Sequence, residues 1–405
     1  MFAKTEPAVV LWPGFERSVV SASEVVGVSL AGVSIGDGQD RAGEPPTISE
    51  VVSWDRVRVL SPELAAGRHD EFIGLARSIW RARTRLQRGD AVSAEPLFEA
   101  AFARLGGERG ATSAVVAEGL LRCRLRRGVL ASALPVWLTL LASDERSVQA
   151  ADFEAGAYAS RIDGLPPVLD VRTGIVPALP PIWVDSPAVA AFATAGVAES
   201  LVGVEPGSRA AVLASLYVAS ARLAVGLAFD DEAFASAELL AATDAGVRLC
   251  WSVAAAEHPD ETVRGRALRA LGDQLADIER RRARAGRDGS RSDDSDASDF
   301  DSREADRWTE AWLRTAIGLV LVKSPDPQTQ RAGVLSLVHV PARFSDDASY
   351  LSGICLARAA EVARSLGNTD AAAVLDAEIG TRFYDHPLLS AGGPVFVPVK
   401  EDPGS

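Results

Sequence analysis

Hydrophobic and polar positions change their spacing near residue 69 of the chain. Before this point apolar residues alternate with polar ones, as at Val26, Val28 and Leu30, and an Asp-Gly pair at 37–38 is typical of a tight turn. After it, apolar residues recur every three or four positions over residues 72–86, which places them on one face of a helix. The pattern predicts a mainly α protein, a helical-hairpin repeat resembling an α-solenoid, with a small N-terminal antiparallel β module.

The same patterns divide the chain into seven segments. They are a β-rich module over 1–62, helical hairpins over 69–164, a proline-rich extended connector over 165–184, helices over 185–283, a disordered linker rich in acidic residues and serine over 284–306, helices over 307–390 and a flexible tail over 391–405. The five prolines of the connector exclude a helix there, and we expect Leu179, Ile182 and Trp183 to anchor it. The linker contains too few apolar residues to fold by itself.

An internal repeat supports the hairpins. The segment RLQRGDAVSAEPLF at 85–98 aligns without gaps to RLRRGVLASALPVW at 124–137, with seven of fourteen positions identical and an offset of 39 residues. Both copies span a break between two helices, and the offset lies in the range of helical repeats. The repeat therefore predicts two neighbouring helical hairpins.

Small and aromatic positions of the first hairpin resemble the tetratricopeptide repeat. Ala94, Phe98 and Ala101 on the second helix, with Ala82 twelve residues before Ala94, fit that family's packing positions. The family's large first-helix residues and its helix-ending proline are replaced here by Ser78, Arg81, Arg85 and Gly106. The resemblance covers about residues 69–145 and implies a right-handed stack of hairpins used for protein binding.

Charge narrows the range of partners. The chain has a formal net charge of −13, which disfavours binding to nucleic acid or to anionic lipid. Residues 68–127 nevertheless contain twelve arginines and seven acidic residues, and stacked hairpins would bring several of these arginines together on one edge. The candidate docking edge consists of Arg81, Arg85, Arg88, Arg122, Arg124, Arg126 and Arg127. Its expected ligand is an acidic segment of a partner protein or the chain's own aspartate-rich loop near 293–301; the alternative is solvated helix faces with cations near helix C-termini.

Cysteine content and hydropathy give the expected compartment. Cys123, Cys250 and Cys355 lie far apart within apolar helical patterns, so they are expected in the core rather than in disulfides or a metal site. The most apolar stretch, 210–229, contains Arg222 and many alanines and is typical of a central packed helix rather than a membrane span. We expect a soluble cytoplasmic protein, or an exported one if a signal precedes the first residue.

Few motifs point to chemistry. GVSIG at 32–36 matches the nucleophile elbow of hydrolases, but no helix pattern follows it, so Ser34 is expected in an ordinary strand or hairpin. The four histidines form no metal-binding pair, and the aspartate-rich loop lacks the glycine and glutamate of a calcium-binding EF-hand. The sequence therefore predicts no catalytic residue, cofactor or metal.

Two main hypotheses about function follow from the sequence, and a third possibility is that the N-terminal β module alone binds a partner and the helices present it. The first is a non-catalytic protein-protein interaction scaffold built on helical repeats that resemble the tetratricopeptide repeat, with an unknown partner. The second is an enzyme with a carboxylate and arginine site, without a local motif, in the groove between the helices of 69–162 and those of 185–282. Convergent carboxylates in a deep pocket would favour the enzyme, and an open binding face would favour the scaffold.

Overall fold

The computed structural model describes most of the chain. The described residues are 8–12, 18–36, 48–150, 160–196, 204–288, 297–384, 386 and 389, without the side chains of 143–150, 285–288 and 297–303. Within them lie thirteen α-helices, which pack in chain order within each of two compact units, and six short strands near the N-terminus. The predicted fold class, a mainly α hairpin repeat with an antiparallel β module, is confirmed. None of the described helices combines the length and the apolar composition that crossing a bilayer requires.

Contacts divide the chain into two compact units. Unit 1 comprises residues 1–174 and 198–204, and unit 2 comprises residues 175–197 and 205–405. Four helices and all six strands belong to unit 1, and nine helices belong to unit 2 within the described part of the chain.

The strands of unit 1 form two antiparallel sheets. They are β1 (Val9–Leu11), β2 (Val19–Val20), β3 (Val25–Ser29), β4 (Gly32–Gly36), β5 (Ile48–Val52) and β6 (Val57–Leu60). One sheet has the order β2-β1-β6 and the other the order β3-β4-β5. The buried alternating face is that of β4, through Val33 and Ile35, whereas Val26 of β3 is exposed, in contrast to the predicted alternation. The predicted Asp-Gly turn at 37–38 lies outside the described residues.

A buried tryptophan joins the β module to the helices of unit 1. Trp54 follows β5 in a short 3-10 turn, is fully buried, and stacks on Phe72 with the ring centroids 5.0 Å apart. Beside it, the Asp55 carboxylate accepts a hydrogen bond from Arg83 Nη1 over 2.5 Å, and both side chains are buried. Aromatic packing and a buried ion pair thus hold the module against the first helix.

The helices of unit 1 are two stacked hairpins. They are α1 (His69–Gln87), α2 (Ala91–Leu105), α3 (Ala111–Arg126) and α4 (Leu130–Ala150). The ends of α1 and α3, and likewise the starts of α2 and α4, are 39 residues apart, as the sequence repeat requires. Phe98 is fully buried against Gly119 of α3, where any larger residue would overlap its ring.

Unit 2 consists of one short helix followed by four hairpins. They are α5 (Pro187–Ala195), α6 (Arg209–Ala224), α7 (Asp231–Ala241), α8 (Ala245–Ala255), α9 (Glu261–Asp288), α10 (Ala297–Leu321), α11 (Pro327–Phe344), α12 (Ser349–Ser365) and α13 (Thr369–Arg382). Each helix packs on the next, and the first helix of each hairpin also packs on the first helix of the neighbouring hairpin. The surface formed by α6, α8, α10 and α12 is called the first-helix face below.

The boundaries of the predicted linker differ from those of the structure. Within the predicted range 284–306, α9 continues to Asp288 and α10 begins at Ala297. Ion pairs between the two helices accompany this extension, since Arg281 lies 2.7 Å from Asp306 and Arg282 lies 2.6 Å from Glu310. A composition argument cannot detect such pairs. Residues 289–296, like the predicted tail at 391–405, lie outside the described residues.

Candidate peptide-binding site

The arginines of the predicted docking edge lie on α1 and α3, most of them near the helix ends, and most already bond to acceptors of unit 1. Those with such acceptors are Arg85, Arg122, Arg124, Arg126 and Arg127. Arg81 and Arg88 are exposed, and no hydrogen bond or ion pair engages their side chains within the described part of the chain. The structure therefore leaves two of the seven guanidinium groups open to a partner.

Two of these arginines make equivalent bonds in the two copies of the repeat. Arg85 Nη1 donates to the carbonyl oxygen of Ser93 over 3.0 Å, and Arg124 Nη1 donates to that of Ser132 over 2.6 Å. Each bond spans the turn between the two helices of a hairpin. The recurrence of this arginine in the sequence thus has a structural cause, which is closure of the turn.

Arg122 holds the start of the connector. Its guanidinium lies 2.7 Å from the buried carboxylate of Glu118 and also donates to the carbonyl oxygen of Pro166. Glu118 accepts two further hydrogen bonds, from the Ser160 hydroxyl over 2.7 Å and from the main-chain N–H of Arg161 over 2.5 Å. Arg122 is therefore part of a closed network rather than of an open surface.

Arg126 and Arg127 join the second hairpin to the first. Arg126 Nη1 donates to the carbonyl oxygen of Gly89 over 2.9 Å, and Arg127 Nη2 lies 2.7 Å from Glu95. The C-terminal ends of α1 and α3 are therefore close together, as predicted. The arginines at this contact, which suggested a docking site, bond to groups of unit 1 itself. The side chains of the proposed internal ligand at 293–301 lie outside the described residues.

The first-helix face of unit 2 holds a segment of the chain itself, residues 175–184. Four side chains donate hydrogen bonds to its main-chain carbonyls: Trp312 to Pro177 (2.9 Å), Tyr217 to Leu179 (2.6 Å), Ser220 to Pro181 (2.9 Å) and Tyr350 to Ile182 (3.1 Å). Because proline has no N–H group, a proline-rich segment offers mainly carbonyl acceptors. Aromatic donors on packed helices meet that requirement, as in other grooves that bind proline-rich peptides.

Apolar side chains of the segment are buried among the helices. Those at most 8% exposed are Ile175, Val176, Leu179, Ile182 and Val184. Leu179 and Ile182 are thus buried, as expected of anchors, whereas Trp183 is half-buried and contacts the rings of Phe192 and Tyr217. The segment is recognised through its carbonyls and its aliphatic side chains together.

Tyr217, like Trp312, is a fully buried donor. Its side chain is fully inaccessible to solvent, and burial raises the pKa of its phenol well above the usual value of 10. The hydroxyl therefore stays protonated, and thus able to donate to Leu179, over the whole neutral range. The thiol of Cys250 lies 3.7 Å from the same hydroxyl.

Beyond the segment, the first-helix face continues into an open cavity of about 320 Å³. Its apolar walls include Leu223 of α6, Val253 of α8, Leu319 of α10 and Ile354 of α12, and Trp183 of the bound segment closes one side. The volume lies near the lower end of the range of ligand pockets, about 300–1,000 Å³. The face is therefore occupied over one part and open over another.

Two ion pairs stand at the rim of the cavity. Lys323 Nζ lies 2.8 Å from Glu257, and Arg358 Nη1 lies 2.7 Å from Glu361. More than half of the surface of the Lys323 and Arg358 side chains is exposed, so solvent screens both pairs and either could exchange partners at little cost. The rim presents charges of both signs around an apolar floor.

The buried carboxylates of the described residues are each paired with arginine. These pairs are Asp55 with Arg83, Glu95 with Arg127, Glu118 with Arg122, and Glu310 with Arg282 and Arg314. The Glu310 pKa is lowered although burial alone would raise it, because hydrogen bonds from its two arginines outweigh that effect. A carboxylate neutralised in this way stabilises the fold and is poorly suited to accept a proton from a substrate.

The remaining candidate residues occupy ordinary structural positions. Ser34 lies in the middle of β4, paired with β5 rather than at a turn into a helix, so the nucleophile-elbow context is absent there. His69 bonds to the Leu60 carbonyl oxygen, and His258 bonds to Asp231 and to the main-chain N–H of Asp260. Comparison with known proteins adds nothing to these observations, because no family model, curated protein or solved structure matches the chain.

Proposed function

We propose that the protein is a non-catalytic protein-protein interaction scaffold, whose first-helix face binds an extended, apolar, proline-bearing segment of a partner protein. The observation that carries the proposal is the way this face holds residues 175–184. Donors on three different helices hold the main-chain carbonyls of this segment, so the face already accommodates one extended apolar chain, and the neighbouring apolar cavity is open to the side chains of another.

The charge and shape of the cavity support the same proposal. Its floor is apolar and its rim carries two exposed ion pairs, so a bound segment would bury aliphatic or aromatic side chains and leave its own charges at the edge. The arginine-paired carboxylates lend no support to the enzyme hypothesis. The resemblance to the tetratricopeptide repeat, a family used for protein binding, remains consistent with a scaffold.

The proposal is tested by selecting peptides on the full chain. A phage-displayed library of random dodecapeptides is panned on the wild-type protein, and each enriched peptide is then titrated against two tryptophan variants. Ala224→Trp places a bulky ring at the exposed end of α6 that lines the cavity. Ala373→Trp, the matched control, changes an exposed alanine of α13 that does not line it.

We expect enriched peptides to be apolar and proline-bearing, and to lose at least tenfold in affinity with Ala224→Trp but not with Ala373→Trp. Circular dichroism is used to check that both variants keep the wild-type helix content. A selection that enriches no such peptides, or peptides whose affinity is the same for all three proteins, would exclude the first-helix face as the binding surface.

A further inference from the structure

The chain leaves its last helix along α12. After α13 ends at Arg382, Phe383 and Leu389 pack on the apolar cluster that includes Leu356 of α12. Between them His386 stacks on the ring of Tyr350, with the centroids 5.4 Å apart, and its Nε2 lies 2.9 Å from the Tyr350 carbonyl oxygen. The start of the tail is therefore fixed against the helix that also lines the open cavity.

His386 fits against α12 because residue 353 is glycine. A side chain at Gly353 would overlap the imidazole ring, so the close approach depends on the missing Cβ. Gly353 precedes Ile354, which lines the cavity, and the same helix contributes Arg358 and Val362 to the cavity wall. One face of α12 thus holds the tail, and an adjoining face is open.

The sequence of the tail matches the chemistry of the segment already bound on this face. Residues 394–399, PVFVPV, contain only proline, valine and phenylalanine, just as residues 175–184, IVPALPPIWV, are entirely apolar and contain three prolines. Both segments combine carbonyls that lack a neighbouring N–H with bulky apolar side chains. The donors hold the first segment, and the apolar walls of the neighbouring cavity are chemically suited to the side chains of the second.

The connection is long enough. Five residue steps separate Leu389, the last described residue, from Pro394, and an extended chain advances roughly 3.3 Å per residue, or about 17 Å in total. A helix with its side chains is about 10–12 Å across. This length exceeds the width of a helix, so we expect the tail to reach the cavity, where Lys400 and Glu401, directly after the apolar segment, would meet the charged rim.

Resting on the function proposed above, we propose that the open cavity is a binding site for the chain's own C-terminal segment, residues 394–399, with Phe396 on the apolar floor. A partner's segment then binds by displacing the tail. Because the tail is tethered, its effective concentration at the cavity is of order millimolar, so it competes with free peptides of similar intrinsic affinity. A partner's segment must therefore bind the cavity tightly enough to displace the tethered tail.

The experiment uses a fluorescent peptide of residues 391–405 as the probe, titrated against the full chain by fluorescence anisotropy. Three substituted proteins are compared with the wild type: Phe396→Asp, which disables the tethered tail, and the double variants Phe396→Asp/Ala224→Trp and Phe396→Asp/Ala373→Trp. We expect Phe396→Asp to bind the probe at least tenfold more tightly than the wild type. Adding Ala224→Trp should abolish this binding, and adding Ala373→Trp should preserve it.

The outcomes separate this inference from the function on which it rests. Equal affinity of the wild type and Phe396→Asp for the probe would overturn occupancy by the tethered tail. Absence of probe binding to Phe396→Asp, while library peptides still bind in a manner sensitive to Ala224→Trp, would also overturn it and leave the proposed function standing. If the library yields no such peptides, it is the proposed function that fails. If Phe396 affects probe binding only above a threshold protein concentration, the tail occupies the cavity of a second copy of the chain. That result would likewise overturn the inference.

Discussion

The hydrogen bond from Tyr217 to Leu179 provides a direct test of how the first-helix face holds an extended chain. Tyr217→Phe removes one hydroxyl from a fully buried ring and leaves the ring itself in place. The Leu179 carbonyl, which accepts that hydrogen bond over 2.6 Å, belongs to a residue that is 1% exposed, so water cannot replace the donor. A buried polar group left without its partner costs about 1–3 kcal/mol.

The neighbouring thiol is a local reporter of this cost. Cys250 lies 3.7 Å from the Tyr217 hydroxyl, is fully buried, and has a pKa raised by that burial to about 12, so it reacts only when the region opens. A loss of about 1–3 kcal/mol increases the open population about 5- to 150-fold. If reclosing is fast compared with labelling, the alkylation rate of Cys250 in native buffer should rise by the same factor.

The assay is timed alkylation of the full chain followed by peptide mass spectrometry, which follows each cysteine separately. Cys123, in unit 1, is the internal control, and Tyr384→Phe is the matched variant because Tyr384 is 74% exposed. The alkylation rate of Cys123 should change by no more than a factor of about two in Tyr217→Phe. The alkylation rate of Cys250 should likewise change by no more than a factor of about two in Tyr384→Phe. An unchanged Cys250 rate in Tyr217→Phe would show that this hydrogen bond does not hold the segment, and the reasoning from donors to recognition would fail.

Three further predictions concern unit 1 and are measured by urea unfolding of the full chain, with Arg81→Ala as the control. Arg124→Ala breaks the bond that closes the second hairpin and should cost about 1–2 kcal/mol, whereas Arg81→Ala should stay within about 0.5 kcal/mol; equal costs would contradict the structural role of the repeated arginine. Gly119→Ala should cost about 1–3 kcal/mol, because the new methyl group would overlap the Phe98 ring, and a neutral result would show that the two helices can separate freely. Arg83→Met leaves the buried Asp55 carboxylate unpaired and should cost about 3–5 kcal/mol. A second substitution that removes this carboxylate should largely restore the stability, and purely additive losses would refute the pairing.

The helical architecture could be predicted because its determinants are local. The spacing of apolar residues fixes which face of a helix is buried, and a glycine after a helix marks a turn, as Gly89 and Gly128 do with φ values of +84° and +74°. The repeat at 85–98 and 124–137 then identifies the two hairpins as equivalent units. Here local pattern and tertiary packing agree, so the fold class follows from the sequence alone.

The ends of α9 and α10 could not be predicted in the same way. A segment rich in serine, aspartate and arginine buries little apolar surface, and composition alone therefore indicates a linker. In the structure Arg281 pairs with Asp306, and Arg282 with Glu310, across two helices that are distant in sequence. The contribution of these pairs depends on geometry that no count of charges contains.

The predicted docking edge shows a second limit of reasoning from composition. A local excess of arginine identifies charge but gives neither the direction of a guanidinium nor the acceptor it reaches. Arg122, for example, is 14% exposed and lies 2.7 Å from a carboxylate that is 2% exposed, an arrangement that fixes the connector. The local excess of arginine in the sequence is real, but most of these side chains bond to acceptors within unit 1.

The donors of the first-helix face were missed because they meet only in the folded chain. Tyr217, Trp312 and Tyr350 lie on α6, α10 and α12, and each occupies an apolar helix face where an aromatic residue is expected for packing alone. Tyrosine and tryptophan each carry a single polar group on an apolar ring, and the partner of that group is the only indication of its role. The sequence signal was therefore present but could not be interpreted without the bound segment.

The hydrogen-bond donors and the cavity of this face have different roles, and this limits which peptide sequences a partner can present. The four donors already hold main-chain carbonyls of residues 175–184, so they position that segment beside the cavity rather than bind a ligand in it. Discrimination then falls to the cavity, where a side chain either fills about 320 Å³ of apolar space or leaves it open. Substitutions among the donors should therefore change how residues 175–184 are held, whereas substitutions at Leu223 or Ile354 should change which ligands bind.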